Sequence, residues 1–193
     1  MGNASDEVKK YADYNSRTPS SILKNNSSFL NLTVDNVDIT SVKYITDNDG
    51  DAFVSAGSTG ALLAAATLLT KRIKGIRRAA LGAPVPQKTG GFALLLDSGA
   101  NAECTPEYLL QFAYMGSCYA EKVLGRANPK VALLNIGVEP SKGTSLQTTV
   151  YPMLQEASEA GRINFVGNIE AREAIEGSVD VIVCDGYAGN IPI

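Results

Sequence analysis

The sequence of 193 residues contains no histidine and only three cysteines, Cys104, Cys118 and Cys184. The cysteines are odd in number and show no Cys-x-x-Cys or Cys/His spacing, so a disulfide scaffold and a zinc site are both disfavoured. Without histidine a Ser-His-Asp triad is disfavoured too, and no base is available to activate Cys184 at the end of its apolar run. We interpret Cys184 as a core residue rather than a nucleophile.

The chain also lacks a strongly basic patch and a long apolar run. It has 17 Lys and Arg against 20 Asp and Glu, a net charge of -3, and its densest basic cluster is the short stretch 71–78. A nucleic-acid binder needs a larger basic surface, so nucleic acid is not an expected partner. The longest apolar run, residues 61–69, is about half of what a membrane-spanning helix needs. No apolar signal segment is recognised, and we interpret the chain as cytoplasmic.

The amino-acid composition and the hydrophobic pattern change near residue 50, which suggests how the chain is organised. Residues 1–50 are rich in Asn, Ser, Asp and Thr, with little apolar alternation. From residue 51 onward, short β-branched or leucine-rich runs end in glycine-containing turns, and most of them are followed by a helical pattern. This alternation is typical of βαβ units, so the sequence predicts an α/β fold with a mainly parallel sheet.

Six strands and three main helices are predicted within this α/β region. One helix covers residues 61–74, is apolar nearly all round and therefore expected to be buried on most sides, and ends at Gly75. A second is capped by Thr105, with Pro106 at its first position, and is followed by Gly125. The third covers residues 146–160, where Pro152 would kink it or delay its start. The predicted strands are residues 52–55, 79–85, 92–96, 131–136, 163–166 and 179–184.

Small, polar loops follow five of these strands. In an open parallel sheet the ligand crevice lies beyond the carboxyl ends of the strands, so these loops are predicted to face one crevice. They are residues 56–60, 97–101, 137–143, 167–170 and 185–190.

Two of the loops carry groups suited to an anion. Ser58, Thr59 and Gly60 lead directly into a helix, where backbone N–H groups and two hydroxyls can hold a phosphate; a capped turn with no ligand is the alternative. Lys142 lies in a loop, where a mobile ammonium can meet a phosphate or a developing oxyanion. A solvated surface lysine is the alternative there.

Amides and carboxylates at the strand ends supply further candidates. Asparagines next to strand ends can bind an acyl carbonyl, although asparagine is also common in turns. For Asp97 and Asp185 we favour a role in ordering the loop N–H groups. Glu139 is a possible acid or base, but an exposed glutamate without function is the more common case. The asparagines are Asn135, Asn168 and Asn190.

Together the loops resemble the PlsX phosphate acyltransferase family over about residues 51–190. The matching segments are DAFVSAGSTGALL, LLLDSGANAECTPEYLLQFAYMGSCYAEKVLG, PKVALLNIGVEPSKG, INFVGNIEAREA and VDVIVCDGYAGN. The resemblance implies a Rossmann-like three-layer α/β/α fold related to isocitrate and isopropylmalate dehydrogenases and to phosphotransacetylases. It also implies a homodimer, possible peripheral membrane association, and no metal, nucleotide or other cofactor.

The activity implied by the resemblance is transfer of a fatty acyl group from acyl carrier protein to inorganic phosphate, for phospholipid synthesis. Matched to the family's loops, Lys142 and Asn190 are expected to be the catalytic pair. Ser58, Thr59 and Gly60 are expected to bind phosphate. The remaining substrate-binding and crevice-shaping residues are expected to be Asn101, Asn135, Glu139, Asn168 and Asp185.

Two departures from the family leave other functions open. Residues 1–50 lack the family's opening strand, and family members continue well past the position of Asn190. We therefore expect a divergent segment, residues 1–50, and a central catalytic α/β region, residues 51–193, truncated at its C-terminal end. The alternatives are a phosphotransacetylase-like enzyme that uses coenzyme A thioesters and a non-catalytic fragment that only binds its ligands.

Overall fold

The structure, a computed structural model, describes Val42, Asp47 and residues 59–191. The chain divides into two compact units, residues 1–71 and residues 72–193, and each is described by itself. The domain boundary predicted at residue 50 and the strand predicted at residues 52–55 lie outside the described residues. Within the described residues, no helix is long and apolar enough to span a membrane.

In the first unit, the described part is mainly one short helix. Helix α1 (Thr59–Ala65) continues as a π-helical segment, Ala66–Thr70, and ends where Lys71 takes a positive φ of 68°. The predicted end at Gly75 is therefore wrong. Only Ala61 and Ala65 are buried in α1, and Leu68 is 52% exposed. The apolar composition of this stretch does not make it a core helix.

The second unit alternates strands with helices, as the sequence predicts. Its order is β1 (Gly82–Pro86), β2 (Phe92–Leu96), α2 (Pro106–Lys122), β3 (Lys130–Leu134), α3 (Ser145–Glu159), β4 (Asn164–Ile169), α4 (Ala171–Ala174), β5 (Val181–Val183) and α5 (Gly186–Gly189). The sheet order is β1-β2-β5-β3-β4. Strand β1 pairs antiparallel with β2, and the other neighbours are parallel, which confirms the mainly parallel sheet.

Local signals explain where the two long helices begin. The Thr105 side chain accepts a hydrogen bond from the Tyr108 N–H, and Pro106 follows it at the first helical position. Thr144 and Gln147 form a reciprocal capping box at the start of α3. Pro152 lies inside α3 and does not delay the helix, which begins one residue before the predicted start.

The two faces of the sheet bury separate apolar clusters because strand side chains alternate. One face packs Leu94, Leu96, Leu133 and Val183 against the helices α2 and α3. Gly116 lets α2 approach closely, since an added Cβ would lie 2.5 Å from Val181 Cγ1 and 2.7 Å from Leu96 Cδ1. The opposite face carries a smaller cluster that includes Leu95, Ala132, Ile182, Cys184 and Ala174 of α4.

Strand β4 is longer than predicted and contains a bulge. The register with β3 shifts between Val131, which faces Phe165, and Leu133, which faces Asn168. The extra residue on β4 coincides with Gly167, whose φ of 103° suits glycine. Gly167 and Asn168 were predicted to lie in a loop after this strand; that prediction is wrong, because both belong to the strand.

Candidate active site at the carboxyl edge of the sheet

The ends of the four parallel strands position the candidate site. Strands β2, β5, β3 and β4 are consecutive in the sheet and parallel, so the loops that follow them emerge at one edge. Nine of the ten predicted site residues lie among the described residues, and Ser58 does not. Seven of the nine lie on the loops or strand ends at this edge: Asn101, Asn135, Glu139, Lys142, Asn168, Asp185 and Asn190.

Thr59 and Gly60 belong to the first unit. They are exposed in the first turn of α1, where the four leading N–H groups of a helix lack helical partners. Gly60 was predicted to lie in a turn before the helix, but it is the second helical residue. Their assignment to phosphate stays a prediction.

The loop after β2 is organised by one buried carboxylate. Asp97 is fully buried, and its Oδ1 accepts hydrogen bonds from the N–H groups of Leu81 at 2.9 Å and Ala100 at 3.0 Å. Its Oδ2 accepts from the backbone N–H of Asn101 at 2.6 Å and from Asn101 Nδ2 at 2.8 Å. A carboxylate offers about four lone-pair sites, and all are used. Asp97 therefore orders the loop, as predicted.

Asn101 and the short helix after β5 pack on this loop. Asn101 is buried, and its carbonyl oxygen accepts a hydrogen bond from the Gly186 N–H at 2.8 Å. Asp185 caps α5 by accepting from the Ala188 N–H at 2.7 Å. A Cβ on Gly189 would overlap the carbonyl oxygen of Asp97, so only glycine fits there. These contacts join the loops of β2 and β5 into one cluster.

Asn190 follows α5 and lies against this cluster. A Cβ built on Gly99 would be 3.4 Å from Asn190 Oδ1, which places the amide beside the backbone of the β2 loop. The Asn190 side chain is exposed at this edge. A side-chain amide in this position can donate a hydrogen bond to a carbonyl oxygen or an oxyanion.

The loop after β3 holds Lys142 through its backbone. Asn135 Nδ2 donates to the Lys142 carbonyl at 3.0 Å, and the Lys142 N–H donates to the Glu139 carbonyl at 3.1 Å. The aliphatic stem of Lys142 lies over Gly137, where a Cβ would be 3.2 Å from Lys142 Cγ. Both Lys142 and Glu139 are exposed. The loop is thus fixed while the ammonium group remains available to a ligand.

Asn168 connects strand β4 to the same loop. Its Nδ2 donates to the carbonyl of Glu139 at 2.8 Å, while its Oδ1 is buried without a hydrogen-bond partner. This Oδ1 is the one such side-chain atom found among the described residues. Asn135, Glu139, Lys142 and Asn168 therefore form a second cluster, and no hydrogen bond or ion pair between described residues joins it to the first.

The two cysteines near the first cluster are poor nucleophiles. Burial and the nearby charges of Asp97 and Asp185 raise the pKa of the Cys104 thiol to about 11. Cys184 is 1% exposed, and burial together with Asp185 and Asp97 raises its pKa further. Its thiol donates to the Asp97 carbonyl at 3.4 Å. The interpretation of Cys184 as a core residue is confirmed.

Sequence reasoning found the polar side chains but missed the glycine contacts. Gly189 and Gly143 are as restricted as the polar residues they accompany: a Cβ on Gly143 would lie 2.6 Å from Asn135 Oδ1. A glycine next to a predicted site residue in the sequence could have indicated such a contact, because close approach to the backbone often requires a residue without a side chain.

A family model described as "Fatty acid synthesis protein" matches residues 19–193 of this chain. The chain belongs to this family. The match begins well before residue 51, where the recognisable motifs begin, and therefore includes part of the segment that looked divergent.

Relatives within the family carry the name phosphate acyltransferase. Those from Brevibacillus brevis, Caldicellulosiruptor saccharolyticus and Alkaliphilus oremlandii are 48%, 50% and 51% identical to this chain over 153 residues. Each alignment covers 79% of this chain and 44–45% of the relative. The chain thus spans less than half the length of the curated relatives it matches.

Solved structures of phosphotransacetylases share the fold. A phosphotransacetylase from Streptococcus pyogenes matches with a TM-score of 0.60 at 18% identity, over 81% of this chain and 53% of that one. The EutD phosphotransacetylase from Staphylococcus aureus matches with a TM-score of 0.58 at 22% identity, over the same shares. At these identities the likeness is one of fold, and it confirms the predicted Rossmann-like α/β class.

Proposed function

We propose that the protein transfers a fatty acyl group from acyl carrier protein to inorganic phosphate, giving an acyl phosphate for phospholipid synthesis. The observation that carries this proposal is the loop after β3. Its hydrogen-bonded backbone carries the ammonium of Lys142, which pairs with no described residue, in a chain about half identical to proteins named phosphate acyltransferase. The family description, fatty acid synthesis protein, supports the fatty acyl substrate.

The chemistry requires a site for negative charge and no covalent enzyme intermediate. An oxygen of phosphate attacks the thioester carbonyl carbon, and the carbonyl oxygen becomes an oxyanion. Collapse of this intermediate breaks the C–S bond and releases the thiolate of the carrier protein, which takes up the proton that the attacking hydrogen phosphate loses. An ammonium group and amide donors stabilise both the phosphate and the oxyanion. Cys104 and Cys184, with their raised pKa values, are not needed as nucleophiles.

We assign Lys142 and Asn190 as the catalytic pair. Strands β3 and β5 are neighbours in the sheet, so the loops that carry the two residues leave it side by side. Asn101, Asn135, Glu139, Asn168 and Asp185 are assigned to the walls of the crevice. Of these, Asn135 and Asn168 support the Lys142 loop, and Asp185 and Asn101 support the α5 turn that precedes Asn190.

The test is acyl-phosphate formation by the purified chain from palmitoyl-acyl carrier protein and inorganic phosphate. Lys142→Ala should lower kcat at least about a hundredfold, as loss of one oxyanion-stabilising donor does in other enzymes. Lys122→Ala is the matched control, because Lys122 is also an exposed lysine and is paired with Glu121 in the last turn of α2. Full activity of a folded Lys142→Ala variant would remove Lys142 from the mechanism.

One further acyl donor and one binding measurement separate the alternatives. Turnover of acetyl-coenzyme A in preference to palmitoyl-acyl carrier protein would favour a phosphotransacetylase-like activity. Binding of acyl carrier protein by a folded chain without any turnover would favour a binding module.

The homodimer and the membrane-surface association implied by the family remain proposals for this chain. Sedimentation equilibrium tests the dimer. Co-sedimentation with anionic phospholipid vesicles tests the association with a membrane surface.

A further inference from the structure

An apolar cavity of about 320 Å³ lies between helix α2 and the edge of the sheet formed by β1 and β2. No charged side chain lines it in the part of the chain that the structure describes. Its size falls at the lower end of the range for small-molecule sites. The described lining residues are Ala80, Gly82, Leu94, Leu96, Met115 and Tyr119.

The packing of α2 explains why the cavity exists. Gly116 brings α2 close to β2 and β5, where an added Cβ would collide with Val181 and Leu96. Toward the edge of the sheet, the lining residues are Ala80, just before β1, and Gly82, in β1; both are too small to fill the space. Tyr119 forms the outer wall and is 47% exposed, so the cavity reaches the surface on that side.

One end of the cavity lies next to the β2 loop, which belongs to the candidate active site. Leu81 lies between two lining residues, and its N–H donates to Asp97 Oδ1 at 2.9 Å while its carbonyl accepts from the Ser98 N–H at 3.0 Å. Leu96, another lining residue, directly precedes Asp97. The same β2 loop carries Gly99, against which the Asn190 amide lies.

We propose that this cavity binds the hydrocarbon chain of the acyl substrate. This inference rests on the proposed function, because the thioester carbonyl would then lie near Asn190 and the chain would extend from it. The cavity begins beside the β2 loop and runs toward Leu94 and Tyr119, between a sheet face and a helix. A fatty acyl chain is uncharged along its length and matches this lining. Each methylene that it buries is worth about a fourfold gain in affinity.

A binding experiment on the whole chain tests the cavity without requiring turnover. The probe is 11-(dansylamino)undecanoic acid, whose fluorescence rises in an apolar site. Ala80→Phe should fill the cavity and weaken binding of the probe about tenfold or more. Ala127→Phe, at an exposed position after α2, is the matched control and should change the affinity less than about twofold. Unchanged affinity in a folded Ala80→Phe variant overturns the proposal.

A second variant tests the cavity even if Ala80→Phe does not fold. Tyr119→Ala removes a wall of the cavity at a half-exposed position, where truncation is tolerated better than in the core. It should weaken binding of the probe about fivefold or more. An affinity equal to that of the unsubstituted chain overturns the proposal in the same way.

Chain-length dependence separates this inference from the proposed function. With palmitoyl-acyl carrier protein, Ala80→Phe should lower kcat/KM about tenfold or more, while butyryl-acyl carrier protein should be used within about twofold of the original rate. Equal losses for both donors would contradict a chain-binding cavity. Absence of turnover with either donor in the unsubstituted chain counts against the proposed function. Binding of the fluorescent probe then tests by itself whether the cavity binds a hydrocarbon chain.

Discussion

Asn101 donates two hydrogen bonds to one oxygen of Asp97, from its backbone N–H at 2.6 Å and from its side-chain Nδ2 at 2.8 Å. The other Nδ2 hydrogen bond of Asn101 reaches the carbonyl of Ala79 at 2.8 Å. One carboxylate and one amide therefore hold three chain segments together: the approach to β1, the end of β2 and the loop that leads into α2. The catalytic assignment of Asn190 depends on this arrangement, since its amide lies on Gly99 of the same loop.

Replacing Asp97 with Asn tests the strength of this arrangement. Each oxygen of Asp97 accepts two hydrogen bonds, and the new NH2 group would replace one of these oxygens. At least two buried N–H groups would therefore lose their acceptor. We expect a loss of about 2–4 kcal/mol in the free energy of unfolding, measured by urea denaturation. Asp185→Asn is the matched control, because asparagine caps a helix about as well as aspartate. An equal effect of the two substitutions would contradict the role given to Asp97.

Replacing Gly189 with Ala tests the contact between the two loops of the first cluster. The added Cβ would overlap the Asp97 carbonyl and come within 2.8 Å of Cys184 Sγ. We expect a loss of about 3 kcal/mol or more in unfolding free energy and loss of the proposed acyl transfer, because backbone atoms cannot move aside without a large cost. Gly125→Ala is the control: its φ is 68° but nothing lies within 4 Å, so it should cost only about 1 kcal/mol. Similar midpoints of thermal unfolding for both variants would argue against the contact.

The strand and helix order was predictable because it rests on local signals. Residues Phe92–Leu96 form an unbroken apolar strand, and Thr105 with Pro106 marks the start of α2 without any tertiary information. Gly167 shows where this reasoning fails. A glycine after an apolar run indicates either the end of a strand or a bulge within it. Only the pairing of β4 with β3 shows that Gly167 belongs to a bulge.

The grouping of the site residues was less predictable than their identities. Asp97 and Gly189 are 92 positions apart, and their contact follows from the adjacency of β2 and β5, which the order of strands along the chain does not reveal. The exposed Leu68 is a similar case, since apolar composition alone predicted a buried helix. Burial depends on which elements pack against a helix, and the sequence of the helix alone does not specify these elements.

Asn168 allows a comparison of two substitutions that differ in charge. Its Nδ2 donates to the Glu139 carbonyl, and its Oδ1 is buried without a partner. Asn168→Asp would leave a carboxylate in this place, facing a carbonyl oxygen, and should lower the unfolding free energy by about 2–3 kcal/mol. Asn168→Leu loses one hydrogen bond but also removes the unpaired oxygen, so it should cost no more than about 1 kcal/mol. Urea denaturation of the two variants shows which of them has the lower free energy of unfolding.

The reverse order would contradict this account of Asn168. If Asn168→Leu were the more destabilising variant, Oδ1 would have to accept a hydrogen bond in solution. Acyl-phosphate formation adds a second readout, because both variants release Glu139 from β4 and should loosen the loop that carries Lys142.

The three cysteines should differ in their reaction with iodoacetamide. Cys118 is exposed, whereas Cys104 is half-buried and Cys184 is buried. Because Cys118 is exposed to the reagent, it should be modified first. The rate at Cys104 should keep rising with pH up to its pKa of about 11, and Cys184 should react only after unfolding. Peptide mass spectrometry at each pH measures the three rates, and early modification of Cys184 in the folded chain would contradict its burial.

The same raised pKa values predict a loss of stability at alkaline pH. Above the ordinary thiol value of 9.0, the unfolded chain loses protons that the folded chain keeps at Cys104 and Cys184. Stability therefore falls as pH rises above about 9, because the folded state binds more protons there. Cys184→Ala should reduce this slope. Urea midpoints between about pH 8 and about pH 10 measure the effect, and equal slopes for Cys184→Ala and the unsubstituted chain would mean that the pKa of Cys184 is not raised in the folded protein.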